Sequence, residues 1–275
     1  MRLAPQPAPD DLPIYYPAHY WFAPDGSLAG RLEERYRRLV LRDHVSFVSR
    51  ALAECGETGP ALDVGCGGAL FPRMLQERGF PAIGLDYSVE AAAVAWKTNG
   101  VPVMCADLAH PPLPHGTCAA ITMFHVLEHL YDPRVYLESA HRLLKPNGRL
   151  IVQVPNADCW QFRLLGARWT GVDVPRHLID FRVRDLEALL AAGGFEVLRR
   201  KHFSWRDNPA GLASSVAPML DPMARRIRGV REAAGTKLLK DLVYFALLAA
   251  AVPFTVLEAA CGAGSTIMIE ARKKT

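Results

Sequence analysis

No two of the six cysteines form a CxxC pair. Cys55, Cys66, Cys105, Cys118, Cys159 and Cys261 are scattered, several within apolar strand-like runs. Reduced, buried thiols are therefore expected, and a thiolate zinc site is not. The chain also lacks a dense lysine and arginine block. Its formal charge is only +4 over 275 residues, too small an excess to mark a nucleic-acid binder. Internal repeats are missing. The opening MRLAPQPAPDDLPIYYP has no apolar h-region, so it reads as an extended arm and the expected location is cytoplasmic. An apolar run of the ~20 residues that a spanning helix needs is also lacking. The nearest candidate, 242–257, is shorter and contains Pro253, so no transmembrane segment is expected.

What remains is a globular composition, 50% hydrophobic and 22% charged, in a chain long enough for one large core. Apolar residues recur at helical spacing over 31–54. Strand-like runs follow at 61–64, 82–86, 101–106, 119–124 and 149–154. Helix-like stretches lie between them at 70–78, 89–98 and 133–144, the last closed by the stop signal KPNG. A helix over 183–192 and strands over 195–201 and 265–272 complete the pattern. Such alternation implies crossover units and a mostly parallel α/β sheet of seven strands. The stretch 204–264 is too long for an ordinary loop and reads as a helical insertion before the last strand. The boundaries expected are an arm and first helix over 1–56, a core over 57–203, the insertion over 204–264 and a closing strand over 265–275.

The densest chemistry is in ALDVGCGGALFPRMLQERGFPAIGLDYS. A strand ends at Val64, and Gly65 and Gly67 permit a tight bend that approaches a ligand closely. Asp86 ends the second strand, where an acid can accept both hydroxyls of a ribose, each bond to a charged group worth about 1.5–3 kcal/mol. Asp107 ends the third and can take the exocyclic amine of an adenine. The pyrophosphate reading is weaker, because its third glycine is missing. Bend, ribose acceptor and adenine acceptor in this order describe an adenosine site at the carboxyl ends of the strands.

These residues resemble the class I S-adenosylmethionine-dependent methyltransferases. The family's D-x-G-x-G-x-G stands here as DVGCGGA, with Ala69 in place of the third glycine. Its later acids stand as GLDYS and ADL. HVLEHL, LLKPNGRLIVQVPN and HLIDFRVRDLEALLAAGGFEV are most similar to the branch containing the ubiquinone-biosynthesis O-methyltransferases. The resemblance implies a Rossmann-like fold with helices on both sheet faces and S-adenosylmethionine as cofactor. It implies that Asp63, Gly65, Cys66 and Gly67 shape the methionine pocket, that Asp86 holds the ribose with Tyr87 near the adenine, and that Asp107 and Leu108 bind and flank the base. Met123 and Phe124 would line the floor, and Tyr20, in YWFAPDGSL, would lie on a segment folding over the cofactor.

The catalytic candidates are His125, Glu128 and His129, expected on one face of a helical turn, with His177 reaching in from the loop after the fifth strand. Relatives with E-x-x-E-H and a later histidine bind a divalent metal. H-x-x-E-H with His177 would favour Zn²⁺ or Fe²⁺ over Mg²⁺ if a metal is held. A metal-free acid/base role and a structural role stay open. Trp160, Phe162 and Trp169 suit an apolar or aromatic acceptor, or simple core packing. The function expected is methylation of a small-molecule acceptor, on oxygen. RNA 2′-O-methylation and a non-catalytic cofactor-binding role are the alternatives. For 204–264 the readings are a helix pair over a sheet edge or dimer interface, and a peripheral element on the inner face of a membrane.

Overall fold

The computed structural model describes residues 1–15 and 28–274. Tyr20 lies outside the described residues. The chain forms two compact units. Among the described residues, one comprises 28–154, 183–201 and 268–274, and the other 1–15, 155–182 and 202–267. The second unit thus takes in 155–182, which the sequence reading placed in the core.

The first unit carries a seven-stranded sheet in the order β3-β2-β1-β4-β5-β7-β6. Its strands are β1 (Ala61–Val64), β2 (Ala82–Asp86), β3 (Val103–Cys105), β4 (Cys118–Phe124), β5 (Leu144–Pro155), β6 (Phe195–Lys201) and β7 (Thr266–Lys273). β1 to β5 pair in parallel, and β6 and β7 pair antiparallel. Central parallel strands are covered on both faces, which is why β1 and β4 read as nearly unbroken apolar runs. Leu62, Ile121, Leu150 and Ile151 have no exposed surface. α1 (Leu28–Cys55) precedes the first strand, and the helices between strands are α2 (Leu70–Gln76), α3 (Val89–Val94), α4 (Pro133–Leu143) and α6 (Val183–Ala192). Caps readable in the sequence start two of them. Ser88 Oγ accepts the Ala91 amide at 3.1 Å, and Asp132 precedes Pro133 with its carboxylate accepting the Arg134 amide.

At the far edge a buried carboxylate ties three strands together. Glu270 on β7 has no exposed surface and pairs with Arg149 of β5 at 3.1 Å and Arg199 of β6 at 2.5 Å. Two guanidiniums satisfy one buried charge, and losing either leaves it undercompensated.

Several local expectations change. KPNG lies inside β5, because Leu144 already pairs with Cys118 of β4 across a register shift. α3 ends at Val94 and continues as a wider turn over Ala95–Asn99, where Asn99 Nδ2 donates to Gly68 O. The arm is not simply extended. It has a 3-10 turn at Pro9–Tyr15, and Leu3 donates to Leu178 O at 2.9 Å. Cys105 and Cys261 are exposed rather than buried, and all six thiols are free.

The second unit holds α5 (Trp160–Leu165), and within 204–264 the helices α7 (Asn208–Val216), α8 (Pro222–Ile227) and α9 (Ala234–Ala260) stand where a helix pair was expected. α9 is 27 residues long and runs through Pro253, so by length and composition alone it could cross a membrane. The apolar run in the sequence underestimated it, because the helix starts eight residues before that run. Trp169 is buried, and a Cβ on Gly171 would lie 2.2 Å from its ring. That tryptophan is core rather than an open wall for an acceptor. Phe162 packs on it at 5.6 Å and Trp160 meets Phe254 at 6.2 Å.

Candidate functional site

The sheet order reverses between β1 and β4, and the candidate residues gather at the carboxyl ends of β1 to β4 beside that switch point. β1 stops at Val64 because Gly65 and Gly67 take left-handed backbone at φ 68° and 53°. At Gly65 a side chain would also collide, since a Cβ there would sit 2.9 Å from Val126 Cγ2. Ala69 follows at φ 55°, in the left-handed region a glycine would occupy without strain. The missing third glycine therefore acts on backbone conformation. The Ala69 methyl itself fits a small cluster with Ala95 and Val101.

Three acids stand on neighbouring strand ends. Asp63 is buried and accepts Thr122 Oγ1 at 2.6 Å, a bond that follows from the register Asp63↔Thr122. Asp86, also buried, accepts the Gly67 amide at 2.8 Å and the Ser88 amide at 2.9 Å, one on each oxygen. Burial raises its carboxyl above the ordinary value despite those amides. Each carboxylate oxygen keeps capacity for a further donor. Asp107 is exposed, accepts the Ala109 amide at 2.9 Å and takes a hydrogen bond from the Tyr136 hydroxyl. Burial and that acceptor both raise the Tyr136 phenol.

The expected neighbours of these acids are placed as follows. Cys66 packs its sulfur against Gly84 of β2, where a Cβ would lie 2.5 Å away, and burial pushes its thiol up. Leu108 and Met123 are buried, while Tyr87 is 82% exposed. Phe124 meets His44 and Phe71 edge-on at 5.1 and 5.0 Å.

His125, Glu128 and His129 do not share a continuous helical face. His125 has φ 57°, and only Leu127–His129 form a 3-10 turn. A left-handed residue cannot continue a right-handed turn. The chain still reverses so that His125 Nδ1 lies 3.2 Å from Glu128 Oε1 and Nε2 lies 3.0 Å from Gln153 Nε2. Glu128 is 1% exposed. With Glu128 ionised, Nδ1 carries the proton and Nε2 is the lone pair that accepts the Gln153 amide. A left-handed non-glycine residue at a strand end is a strained position of the kind found at functional sites. His177, in the other unit, has Nδ1 2.8 Å from Gly171 O and Nε2 3.8 Å from Asp173 Oδ2.

Sequence reasoning missed Thr122, Gln153, Tyr136 and Val126. Aligning the ends of β1 and β4 would have found Thr122, and aligning β4 with β5 would have brought Gln153 to the end of β4, where it pairs with Phe124. Nothing local flagged Tyr136 or Val126.

A family model described as a methyltransferase domain matches residues 32–200. The ubiquinone biosynthesis O-methyltransferase of Pseudomonas paraeruginosa is 30% identical over 147 residues, covering 50% of this chain and 62% of that protein. A Mycolicibacterium smegmatis protein named as an S-adenosylmethionine-dependent methyltransferase is 28% identical over 172 residues, covering 62% of this chain and 63% of its own length. The chain thus spans less than two thirds of these relatives. A solved geranyl diphosphate C-methyltransferase from Streptomyces coelicolor, in complex with Mg²⁺, a substrate analogue and S-adenosylhomocysteine, has a TM-score of 0.54 at 16% identity, covering 84% of this chain and 76% of that one. At that identity it speaks for the fold alone.

Proposed function

The chain belongs to the class I S-adenosylmethionine-dependent methyltransferase family, and from that membership we propose that it moves a methyl group from S-adenosylmethionine to an oxygen of a small-molecule acceptor. The residues present fit the cofactor's chemistry. Gly65 lies where a Cβ would meet Val126, and three acids on adjacent strand ends offer acceptors for an ammonium, a ribose and an adenine amine. Asp63 would take the ammonium end, Asp86 the ribose hydroxyls and Asp107 the base. When bound, the cofactor supplies an electrophilic methyl on a sulfonium whose leaving group needs no acid.

The protein's part is positioning, worth up to ~7–11 kcal/mol in favourable cases, and proton removal when the acceptor is a hydroxyl. The single observation that carries oxygen as the acceptor atom is the Glu128–His125–Gln153 chain of contacts. Glu128 orients the imidazole and stabilises its charged form. Gln153 holds the Nε2 lone pair until a hydroxyl displaces the amide and gives up its proton there. A neutral amine acceptor already presents a free lone pair and would have less use for such a base. The name of the Pseudomonas relative, an O-methyltransferase, points the same way.

The test is product chemistry. Purified protein is incubated with methyl-labelled S-adenosylmethionine and a panel of phenols, catechols, amines and short RNAs. O-methylated phenolic products support the reading. N- or C-methyl products, or RNA labelling, replace the acceptor. Tight cofactor binding with no turnover on any acceptor makes this a binding protein.

A further inference from the structure

The second unit carries a surface at odds with ordinary solvent exposure. α9 buries Tyr244, Leu248, Ala251, Thr255 and Glu258, spaced four and three apart along one stripe. That stripe is held to its own unit. Tyr244 Oη lies 2.9 Å from Ser214 Oγ of α7, and the Glu258 carboxylate accepts both the backbone amide and the Nε2 of Gln161 at 2.9 Å. A soluble helix would carry charges on the opposite face. Here every exposed position from Leu238 to Ala260 is apolar. Leu238, Leu239, Leu242, Phe245, Val256 and Leu257 are 45–62% exposed, and the remaining exposed positions are alanine, valine or proline. Twenty-three residues of helix make a stripe about 35 Å long. Soluble monomers rarely expose so long a continuous apolar strip.

The charge around it is of one sign. Residues 225–241 hold six basic and two acidic side chains, a net of +4, equal to that of the whole chain. Arg225 and Lys240 engage the two acids, Arg225 both Glu232 and Asp241 and Lys240 Glu232. Arg231 and Lys237 are exposed on the approach to and the first turn of α9. The excess positive charge of the molecule is thus concentrated where its apolar helix begins.

We infer that the outer face of α9 docks the protein on an anionic lipid bilayer, lying in the interfacial plane with the basic entry segment among the headgroups. Two other occupants fit less well. A spanning arrangement would strip the buried stripe from α7 and put Glu258 into hydrocarbon. A second copy packed through this face would bring a second +4 segment with it and offers no acidic counterpart. The inference stands apart from the identity of the methyl acceptor and does not need transfer activity.

The experiment is vesicle flotation with the full-length protein, using phosphatidylcholine vesicles with and without phosphatidylglycerol. Binding to anionic vesicles should exceed binding to neutral ones by roughly tenfold at low salt and fall in molar salt, where screening shortens to a few ångströms. Leu242→Glu with Leu257→Glu should abolish flotation, and Arg231→Glu with Lys237→Glu should remove the anionic preference. Both double variants should bind S-adenosylmethionine like the parent, which shows that they fold. Equal binding to neutral vesicles at every salt concentration, or no binding to either kind, overturns the inference. So does a dimer that forms through this face without vesicle binding, or membrane-bound protein that resists alkaline carbonate extraction.

Discussion

The Gly67 amide donates to the Asp86 carboxylate at 2.8 Å across 19 residues of sequence. The acid at the end of β2 therefore holds the glycine bend after β1 while keeping lone pairs for a ligand. Under the proposed function, a single side chain would serve both the shape of the site and its chemistry.

Asp86→Ala should accordingly do two things. Cofactor affinity should fall by more than roughly tenfold, since hydrogen bonds to a charged group contribute about 1.5–3 kcal/mol. The unliganded protein should also lose about 1–3 kcal/mol, because two amides lose their acceptor. Calorimetric titration below the variant's melting range separates these. Parental affinity in a folded variant would take Asp86 out of the site.

Gly65→Ala meets both a left-handed backbone and Val126 Cγ2 at 2.9 Å. A loss of about 1–3 kcal/mol is expected, with weaker cofactor binding. Adding Val126→Ala should recover the steric share and leave the backbone share. Full additivity of the two substitutions in thermal melts would mean that the two residues do not touch.

His125→Ala should lower kcat by about 10²–10⁴ with little change in the KM for cofactor, the signature of a lost general base. Gln153→Ala frees the Nε2 lone pair and should act more mildly. In the parent, transfer should decline toward acid as the imidazole is protonated, and the His125→Ala residue of activity should lack that limb. A pH profile unchanged by the substitution would return His125 to a structural role.

If His125 supplies the base, transfer should persist in excess EDTA. Loss of turnover on chelation, with recovery on adding Zn²⁺ or Mg²⁺, would instead assign the chemistry at Glu128 and His129 to a bound cation.

Asp43 gives a stability prediction. Burial pulls its carboxyl up, but hydrogen bonds and charge from His44 and Lys201 outweigh burial and hold it at about 2, below the ordinary value. Lys201 Nζ lies 2.7 Å away and joins β6 to α1. A depressed folded value means that the contribution is complete above the unfolded carboxylate value near 4 and is lost as pH falls toward 2. It amounts to roughly 1–2 kcal/mol after allowing for partial solvent screening. Asp43→Asn should therefore flatten the decline in melting temperature between about pH 4 and pH 2. An unchanged acid limb would remove the linkage.

Much of this protein is written locally. The ends of β1, β2, α6 and β6 fall where the residues put them, because an apolar run followed by glycine, an acid or a cap terminates an element within a few residues. The bend at Gly65 and Gly67 and the acids Asp63, Asp86 and Asp107 could be named for the same reason. Asp63 is the one polar residue of β1, Asp86 closes β2, and Asp107 follows the end of β3 by two residues.

What the tertiary structure alone decided is partnership between distant residues. Thr122 reaches Asp63 across 59 residues, and Gln153 reaches His125 across 28, only because parallel register sets β4 between β1 and β5. The helical face expected for His125, Glu128 and His129 gave way to a left-handed turn, since the chain must leave β4 while keeping the His125 amide on Gln153 O. The side of α9 that would be covered was equally illegible. Its sequence is apolar almost all round, so periodicity could not choose a face, and only packing against α7 and the Gln161–Glu258 bonds did.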